Sequence, residues 1–479
     1  MRKVAKVADP LADETEEEEA SVVLAEEEQN PLLPLNPYIN EWLKGNDRWL
    51  PIKWDSDQAL TARIGMIDDP HHARQLPFDL DLKVGSVLMF GASGKGKTGF
   101  LRTLVSSLAV SHSPEALWIY AIDFGGGGLS PLLELPHVGA VIGNEEGERV
   151  ERLINRLKDW QRERGELFGG DNLTTYNKMH PNDIIPAVLV LLDNFAEFRQ
   201  SYEDLIPDLS SLIREGLSKG IYFAVTADQL GTIPGRLMSL FNQRMTLKLA
   251  DAADYSGVVG RVGQDLDDIP GRGYMVVDRL TLEMQVAKPV EITGLKAIDG
   301  TPLDDSGQLA HLLGLMRRAW RSNKLPQTID KLANVIKLAD LVDQASDRRA
   351  EIMLGVERRE LTPVPLNLKE QGPHFIVAGS PFSGKSTTLR TMILSLAARY
   401  SPERVAFIFI DAQRRMFDYG GTRTLADLPH VQIAISEQNR EMVEPVIESV
   451  KQTFQNKNGT ALPEIFLFID NYDDFSDLF

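Results

Sequence analysis

The sequence predicts an α/β protein with two successive domains, each a mostly parallel sheet covered by helices on both faces. One observation is a repeated glycine-rich motif, GASGKGKT from Gly91 to Thr98 and GSPFSGKS from Gly379 to Ser386. Another is the near-copy that follows each motif's lysine, TGFLRTLVSSLAVSHSPE and then STTLRTMILSLAARYSPE. Both motifs fit G-x-x-x-x-G-K-[ST], the phosphate-binding P-loop. The chain is therefore predicted to be a tandem array of P-loop NTPase domains.

The first domain is expected over residues 41–300, after an acidic segment at 1–40 that its composition predicts to be disordered. Short apolar runs and helical periodicity then alternate along the chain. The predicted strands are Ser86–Phe90, Ala116–Ile122, Ala187–Leu192 and Ile221–Thr226, and the predicted helices are Thr98–Val110, Glu145–Glu166 and Leu205–Leu217. Because a helix or long connection separates each strand from the next, the strands are expected to be parallel.

The second domain is expected over residues 351–479, after a largely helical, polar linker at 301–350. Its predicted strands are Phe375–Ala378, Val405–Ile410 and Ile465–Ile469. The spacing from Lys97 to Asp123 recurs from Lys385 to Asp411, which indicates a duplication. Since the sequence ends soon after the third strand, we expect later strands to be missing and a sheet edge to be unpaired. Either the chain is truncated, which we favour, or a partner supplies that part.

Composition limits the classes of function. With 25% charged and 43% hydrophobic residues, the 479-residue chain is typical of globular proteins and long enough for about three domains. The absence of cysteine excludes disulfides and thiolate metal sites. No apolar run approaches the ~20 residues that span a bilayer, and no secretory signal opens the chain. The net charge of −18 disfavours DNA binding, although a locally basic surface would still permit it.

The two P-loops predict two sites for ATP and Mg²⁺. Glycines let backbone N–H groups reach phosphate oxygens at a helix N-terminus. Lys97 and Lys385 are expected to reach the β- and γ-phosphates, and Thr98 and Ser386 to place hydroxyls on Mg²⁺. The alternative is a glycine turn with an incidental lysine. The predicted nucleotide-binding residues are Gly91, Ala92, Ser93, Gly94, Lys95, Gly96, Lys97 and Thr98, and then Gly379, Ser380, Pro381, Phe382, Ser383, Gly384, Lys385 and Ser386.

Asp193 and Asp470 each follow an apolar strand, as a Walker-B carboxylate that holds Mg²⁺ does. The alternative for Asp193 is a helix N-cap. The next residues are Asn194 and Asn471, where a hydrolytic enzyme of this class usually has a glutamate that polarises water. An amide is a poor proton acceptor, so we expect slow or conditional hydrolysis. The carboxylates that could substitute are Glu197, Asp473 and Asp474.

Other candidate residues carry weaker signals. Thr226, Asp228 and Gln229 follow the strand after the Walker-B strand, where a γ-phosphate sensor or ordinary turn chemistry would fit. Arg214 and Arg244 are candidates for arginine fingers that act across a subunit boundary, or they are plain surface arginines.

A repeated Leu-Pro-His-Val element contains His137 and His430. Without cysteines or clustered carboxylates beside them, loop packing is the expected role of these histidines rather than metal binding.

Taken together, these motifs resemble the FtsK/SpoIIIE family of motor ATPases, and more closely the type VII secretion ATPases EccC and EssC. The resemblance covers nearly all of residues 50–479 and looks like the second of that family's three ATPase modules with the start of the third. It rests on the P-loops and on GMIDDP from Gly65, YAIDFGGGGL from Tyr120, LPHVGAV from Leu135, ERL from Glu151, DNFAE from Asp193, IPG from Ile233 with Arg244, and GRG from Gly271.

The resemblance implies RecA-like domains, ATP binding, and docking of small helical WxG-type secretion substrates. It also implies oligomeric assembly with a membrane-bound secretion ATPase or other FtsK-type modules. The chain would then act in the cytoplasm, either free or peripheral at the inner face of the cell membrane. Compared with the fullest family pattern, the sequence has no transmembrane helix, no first module and no complete third module. It is therefore either a fragment or the soluble subunit of a split protein.

The sequence is compatible with three candidate functions. The leading one is an ATP-binding, conditionally hydrolysing subunit of a type VII secretion system. A DNA translocase of the same family is the first alternative, which the acidity of the chain disfavours. A nucleotide-gated substrate receptor with negligible hydrolysis is the second, and Asn194 and Asn471 favour it.

Overall fold

The computed structural model describes residues 37–263, 265–292, 294–297, 299–342, 351–358, 361–368, 370–416, 424–455 and 463–473. They divide into two compact units, with the division between Lys331 and Leu332. Of the acidic segment predicted to be disordered at 1–40, residues 1–36 lie outside the described part. Its last four residues belong to a helix, α1, Pro37–Leu43.

The first unit alternates strands and helices in the order expected of an α/β domain. Its strands are β1 Thr61–Asp69, β2 Arg74–Asp81, β3 Val87–Phe90, β4 Leu117–Asp123, β5 Val138–Gly143, β6 Ala187–Asp193, β7 Ile221–Ala227, β8 Gln243–Leu247, β9 Arg272–Val277 and β10 Leu280–Val286. After α1, its helices are α2 Lys97–Ala109, α3 Gly147–Phe168, α4 Leu173–Met179, α5 Phe195–Ser201, α6 Ile206–Gly216, α7 Gly235–Met238, α8 Tyr255–Val258 and α9 Asp305–Ala319.

These strands form one mixed sheet in the order β2-β1-β10-β9-β8-β3-β7-β6-β4-β5. The part from β8 to β5 is parallel, which confirms the predicted fold class. The part from β2 to β9 is antiparallel and joins the parallel part through β8. The predicted strands did not include this extension. The strand order places the end of β7 between the ends of β3 and β6.

Both faces of the sheet are covered, because alternate side chains of each strand enter opposite cores. In β6, Leu189 and Leu191 enter one core with α2 and α9, whereas Val190 and Leu192 enter the other with α3, α5 and α6. All seven residues of β6 are buried. This pattern is the one expected of a parallel strand buried on both faces.

The first part of the segment predicted as a linker at 301–350 belongs to the first unit instead. Helix α9 packs its apolar face, Leu309, Leu312, Leu313 and Met316, into the core of the first unit. The chain then continues along the same unit as far as Lys331. The described residues place the boundary near 331 rather than 300. The helical spacing of the four apolar residues was a signal in the sequence for this packing.

The second unit repeats part of the first. Its helices are α10 Leu338–Val342, α11 Lys385–Arg399 and α12 Val443–Gln455. Its strands are β11 Glu351–Val356, β12 Pro363–Asn367, β13 Val405–Ile410, β14 Val431–Ile435 and β15 Glu464–Ile469. Strands β14, β13 and β15 are parallel and lie in that order, as β5, β4 and β6 do in the first unit.

The strand predicted at Phe375–Ala378 does not form among the described residues, and Ile376 is 93% exposed. The corresponding strand of the first unit, β3, is hydrogen-bonded on one side to β7 and on the other to β8. The described part of the second unit holds no counterpart of either neighbour. An apolar segment without neighbouring strands has no partners for its backbone N–H and C=O groups, so the predicted strand fails for lack of neighbours.

The described helices are all too short or too polar to cross a bilayer.

Two buried histidines connect the loops at one end of the first sheet. His112 accepts a hydrogen bond from the backbone N–H of Leu60 (2.9 Å), and His137 donates from Nε2 to the carbonyl of His112 (2.6 Å). In the second unit, His430 makes the equivalent contact with the carbonyl of Tyr400. Burial lowers the pKa of His112 to about 4 and that of His137 to about 3. Both side chains are therefore neutral in the folded protein at pH 7.

These depressed pKa values predict that the first unit loses stability in acid. Full stability is present above pH 6.5, the ordinary pKa in the unfolded chain, and is lost as pH falls toward 4. Each histidine lowers the free energy of unfolding by about 1.4 kcal/mol per pH unit in that range. Urea unfolding followed by tryptophan fluorescence measures this in the first unit alone, because all six tryptophans precede residue 321.

The matched variant is His137→Gln, whose amide can still donate to the carbonyl of His112. Its unfolding free energy should depend less steeply on pH between 6.5 and 4.5 than that of the parent chain. Equal pH dependence in the two chains would contradict the role assigned to His137.

Candidate nucleotide-binding sites

The first P-loop connects the end of β3 to the start of α2, with left-handed backbone at Gly94 (φ 73°) and Gly96 (φ 103°). A Cβ at position 96 would lie 2.9 Å from the backbone nitrogen of Gly271. Glycine is therefore required there both by conformation and by space. The N–H groups of the first turn of α2 have no partner within the helix, and Gly96 offers no side-chain cap. This end of the helix suits an anion.

Lys97 begins α2 and points back over the loop. Its ammonium nitrogen lies 2.7 Å from the carbonyl oxygen of Gly91 and 3.1 Å from that of Ala92. It also lies 2.6 Å from Oδ1 of Asp228, which follows β7. Asp228 was predicted only as a candidate γ-phosphate sensor, and the structure places it beside the P-loop lysine.

Thr98 and the buried Walker-B residue Asp193 form the candidate metal position. The Thr98 hydroxyl donates to Oδ2 of Asp193 (2.6 Å), and the Thr226 hydroxyl donates to Oδ1 (2.5 Å). Burial raises the pKa of Asp193, an effect that both hydroxyl hydrogen bonds oppose. A carboxylate and a hydroxyl beside a P-loop are the oxygen ligands that Mg²⁺ takes in such sites, so these residues fit the ion. There Mg²⁺ would neutralise phosphate charge.

Asn194 is engaged in holding the backbone. It adopts the left-handed conformation (φ 68°), its N–H donates to Thr226 Oγ1 (2.9 Å), and its side-chain amide donates to the carbonyl of Phe124 (3.1 Å). Asparagine tolerates this conformation better than glutamate does. The nearby Glu197 is half-buried in the first turn of α5. It makes no hydrogen bond or ion pair with the described residues.

The glycine run after β4 covers the candidate metal ligands. A Cβ at Gly125 would lie 2.4 Å from Oδ2 of Asp193, and one at Gly128 would lie 2.6 Å from the methyl group of Thr98. Neither distance is compatible with a real side chain without displacement of a metal ligand. Glycine is therefore required at Gly125 and Gly128 because the backbone of the run lies so close to Asp193 and Thr98.

Two residues that the sequence analysis did not assign to the site hold this loop. Buried Asp123 accepts from the N–H of Leu129 (2.6 Å), and Arg102 donates to the carbonyl of Gly128 (2.7 Å). A similar arrangement recurs in the second unit. There Asp411 accepts from the N–H of Met416, and Arg390 donates to the carbonyl of Met416. Two features of the sequence could have predicted these loop contacts. They are the repeated Leu-Arg-Thr sequence and the equal lysine-to-aspartate spacing.

The second P-loop repeats the first in its main contacts. Lys385 lies 2.9 Å from the carbonyl oxygen of Gly379 and 3.0 Å from that of Ser380. The Ser386 hydroxyl donates to Oδ2 of the buried Asp470 (2.7 Å). The structure therefore builds the same hydroxyl–carboxylate pair in both units.

The other predicted residues of the second unit are placed only in part. Asn471 has the left-handed conformation (φ 58°), as Asn194 does. Asp473 lies in a helical turn that follows it, and Asp474 lies outside the described residues. In the P-loop, the side chain of Phe382 is fully exposed.

The predicted arginine fingers lie away from the P-loop of their own unit. Arg214 is exposed in the last turn of α6, and Arg244 is exposed on β8 opposite Leu88. Neither side chain makes a hydrogen bond or ion pair within the described residues. Gln229 is exposed beyond β7. Any action of the two arginines on a neighbouring subunit stays a prediction.

The close approach of Gly125 to Asp193 yields a test. Gly125→Ala is expected to weaken binding of Mg²⁺–ADP to the first site about tenfold, because overpacking at a tight contact costs ~1–3 kcal/mol. Calorimetric titration of a Lys385→Ala chain isolates that site. Gly143→Ala is the control, since a Cβ there meets nothing within 4 Å. Equal affinities for the two alanine variants would contradict the assigned role of the glycine run.

Comparison with known proteins bears on both units. The FtsK/SpoIIIE family model matches residues 52–279 and 337–456, which is more than half of the chain and includes both P-loops. The ESX secretion system protein EccC of Thermomonospora curvata is 28% identical over 441 residues, covering 88% of this chain and 32% of that protein. The ESX-1 secretion system protein EccCb1 of Mycolicibacterium smegmatis is 26% identical over 380 residues, covering 75% and 62%. The chain thus spans only part of each relative.

Solved structures of related proteins have the same fold. ATPases 2 and 3 of Thermomonospora curvata EccC, in complex with a signal sequence peptide, match with a TM-score of 0.65 and 27% identity, over 88% of this chain and 77% of that one. ATPases 2 and 3 of EssC from Geobacillus thermodenitrificans match with a TM-score of 0.73 and 22% identity, over 88% and 79%. The family match and the two P-loop sites agree, and the chain belongs to the FtsK/SpoIIIE family.

Proposed function

We propose that the chain is part of the ATPase of a type VII secretion system and binds ATP with Mg²⁺ at both P-loops. The observation that carries the proposal is the recurrence of one arrangement in two units. In each, a P-loop hydroxyl donates to a buried carboxylate, at 2.6 Å for Thr98 and Asp193 and at 2.7 Å for Ser386 and Asp470. The similarity to EccC proteins over most of the chain supports the secretion pathway.

Hydrolysis at the first site is proposed to be slow and to depend on assembly. The amide of Asn194 is held by the carbonyl of Phe124, and the left-handed backbone at 194 disfavours the glutamate found in active motors. Residues such as Arg214 and Arg244 could then act only on the nucleotide of a neighbouring module or of a membrane-bound partner ATPase. The contacts of Asn194 also fit a nucleotide-gated receptor, in which bound nucleotide controls the conformation and hydrolysis is negligible.

The second part of the proposal is docking of secretion substrates through an extended peptide. The first unit already binds a segment of its own chain that lies outside any helix or strand, with Tyr120 donating to the carbonyl of Gln327 (2.7 Å) and Arg149 to that of Ile329 (2.5 Å). Contacts to carbonyl oxygens are tolerant of sequence. Ile329 itself is buried in the core beneath α3.

The second unit offers a corresponding face for such a segment. Strand β14 and helix α12 follow one another there as β5 and α3 do in the first unit. Ile433, Ile447 and Val450 on these elements are only partly buried. We propose that the signal segment of a small helical substrate binds this face in the cytoplasm, in line with the signal peptide bound to the related EccC structure.

Nucleotide stoichiometry tests the assignment of the two sites. Titration with Mg²⁺ and a non-hydrolysable ATP analogue should give two bound nucleotides per chain, one in Lys97→Ala or Lys385→Ala, and none in the double variant. Loss of the ammonium removes the charge that holds the phosphates. Lys158→Ala is the control for lost charge, because Lys158 lies in an exposed ion pair with Asp208 on α6.

Nucleotide bound by the double variant would show that the P-loops are not the sites. Binding of duplex DNA that weakens steeply with salt would favour a translocase over a secretion ATPase.

A further inference from the structure

We propose that Asp228 is a positioning residue that limits the affinity of the first site, because it competes with phosphate for the P-loop lysine. The inference rests on the proposed function, in which Lys97 binds nucleotide phosphates. It concerns a contact that the general chemistry of P-loops does not require.

Lys97 makes two hydrogen bonds and one ion pair. Three oxygen acceptors surround its ammonium group, which carries three N–H donors. They are the carbonyl oxygens of Gly91 (2.7 Å) and Ala92 (3.1 Å) and the carboxylate of Asp228 (2.6 Å). A phosphate oxygen that approaches this ammonium group has to compete with these three oxygen atoms for it.

Asp228 is the acceptor that phosphate replaces most readily. The two carbonyl groups belong to the same loop as Lys97 and move with it, whereas Asp228 comes from the end of β7. Its side chain is 43% exposed, against 11% for Lys97, so the carboxylate can turn into solvent without losing a buried environment. A carboxylate and a phosphate beside one ammonium also repel each other, which favours departure of Asp228.

Strand β7 links this contact to the metal position. Two residues before Asp228, the hydroxyl of Thr226 donates to Asp193. Both groups therefore lie at the end of one strand, which is hydrogen-bonded to β3 on one side and to β6 on the other. Displacement of Asp228 by phosphate would occur close to Asp193, the candidate Mg²⁺ ligand. The end of β7 would therefore respond both to the phosphate and to the metal ion of the nucleotide complex.

The second unit supplies an internal comparison. Lys385 has the two corresponding carbonyl contacts, from Gly379 and Ser380. In the part of that unit that the structure describes, it has no carboxylate partner. The described residues of that unit also include no counterpart of β7, the strand that precedes Asp228.

The test uses the full chain with Lys385→Ala, so that only the first site binds nucleotide. Asp228→Asn keeps the shape of the side chain and removes its charge, and it is expected to bind Mg²⁺–ADP up to about fivefold more tightly, the upper value for an exposed ion pair. ADP is used because it cannot be hydrolysed, so affinity is read without turnover. Asp228→Ser, which is expected to show the same gain, covers the case in which the asparagine variant folds poorly.

Asp268→Asn is the matched control. Asp268 pairs with Lys95 on the same P-loop and is 65% exposed, so its loss changes the charge near the site without freeing Lys97. Its affinity should stay within twofold of the parent. Urea unfolding by tryptophan fluorescence should be the same for all these variants, which separates a change at the site from a change in folding.

Tighter binding by both Asp228 variants and not by the control supports the proposal. Unchanged or weaker binding overturns it, including the case in which Asp228→Asn loses only ATP turnover and Asp228 is the carboxylate that polarises water. If the Lys385→Ala chain shows no binding that depends on Lys97, the proposed function fails and this inference with it. Binding that depends on Lys97 but is insensitive to Asp228 overturns the inference alone.

Discussion

The hydrogen bond between a P-loop hydroxyl and a buried carboxylate is the interaction on which the nucleotide-binding site of the first unit depends. Asp193 is almost fully buried at the end of β6, where an ionised carboxyl without partners would be costly. The hydroxyl groups of Thr98 and Thr226 supply those partners. They come from α2 and from the end of β7, so the pairing joins the P-loop helix to two parallel strands. Close packing around it leaves space only for glycine at Gly125.

The second unit keeps this interaction, although its described residues include no counterparts of β7 and β8. Ser386 donates to Asp470 although the segment before the second P-loop, 375–378, is not paired as a strand. The pair thus depends on the helix after the loop and the Walker-B strand, which both units contain. In the first unit, Lys97 also forms an ion pair with the carboxylate of Asp228.

The local parts of this architecture could be predicted from the sequence, and the long-range parts could not. The P-loops and the strands around them carry motifs within a few residues. Apart from the strand predicted at Phe375–Ala378, which does not form, the structure has the predicted strands within about two residues of their expected bounds. The antiparallel strands β1, β2, β9 and β10 pair across most of the domain, as Gly65 does with Val286, and no short pattern encodes such a partner. The contact between Lys97 and Asp228 was missed for the same reason. Asn194 was interpreted as a weak catalytic residue, whereas its backbone conformation gives another reason for its identity.

The most direct measurement is a crystal structure of the full chain with Mn²⁺ in place of Mg²⁺ and a non-hydrolysable ATP analogue, with the metal located by its anomalous scattering. The account predicts one metal in each unit, bonded to the hydroxyl oxygen of Thr98 or Ser386, with Asp193 or Asp470 bound directly or through water. Nucleotide bound without metal at these hydroxyl groups, or bound elsewhere on the chain, would contradict it.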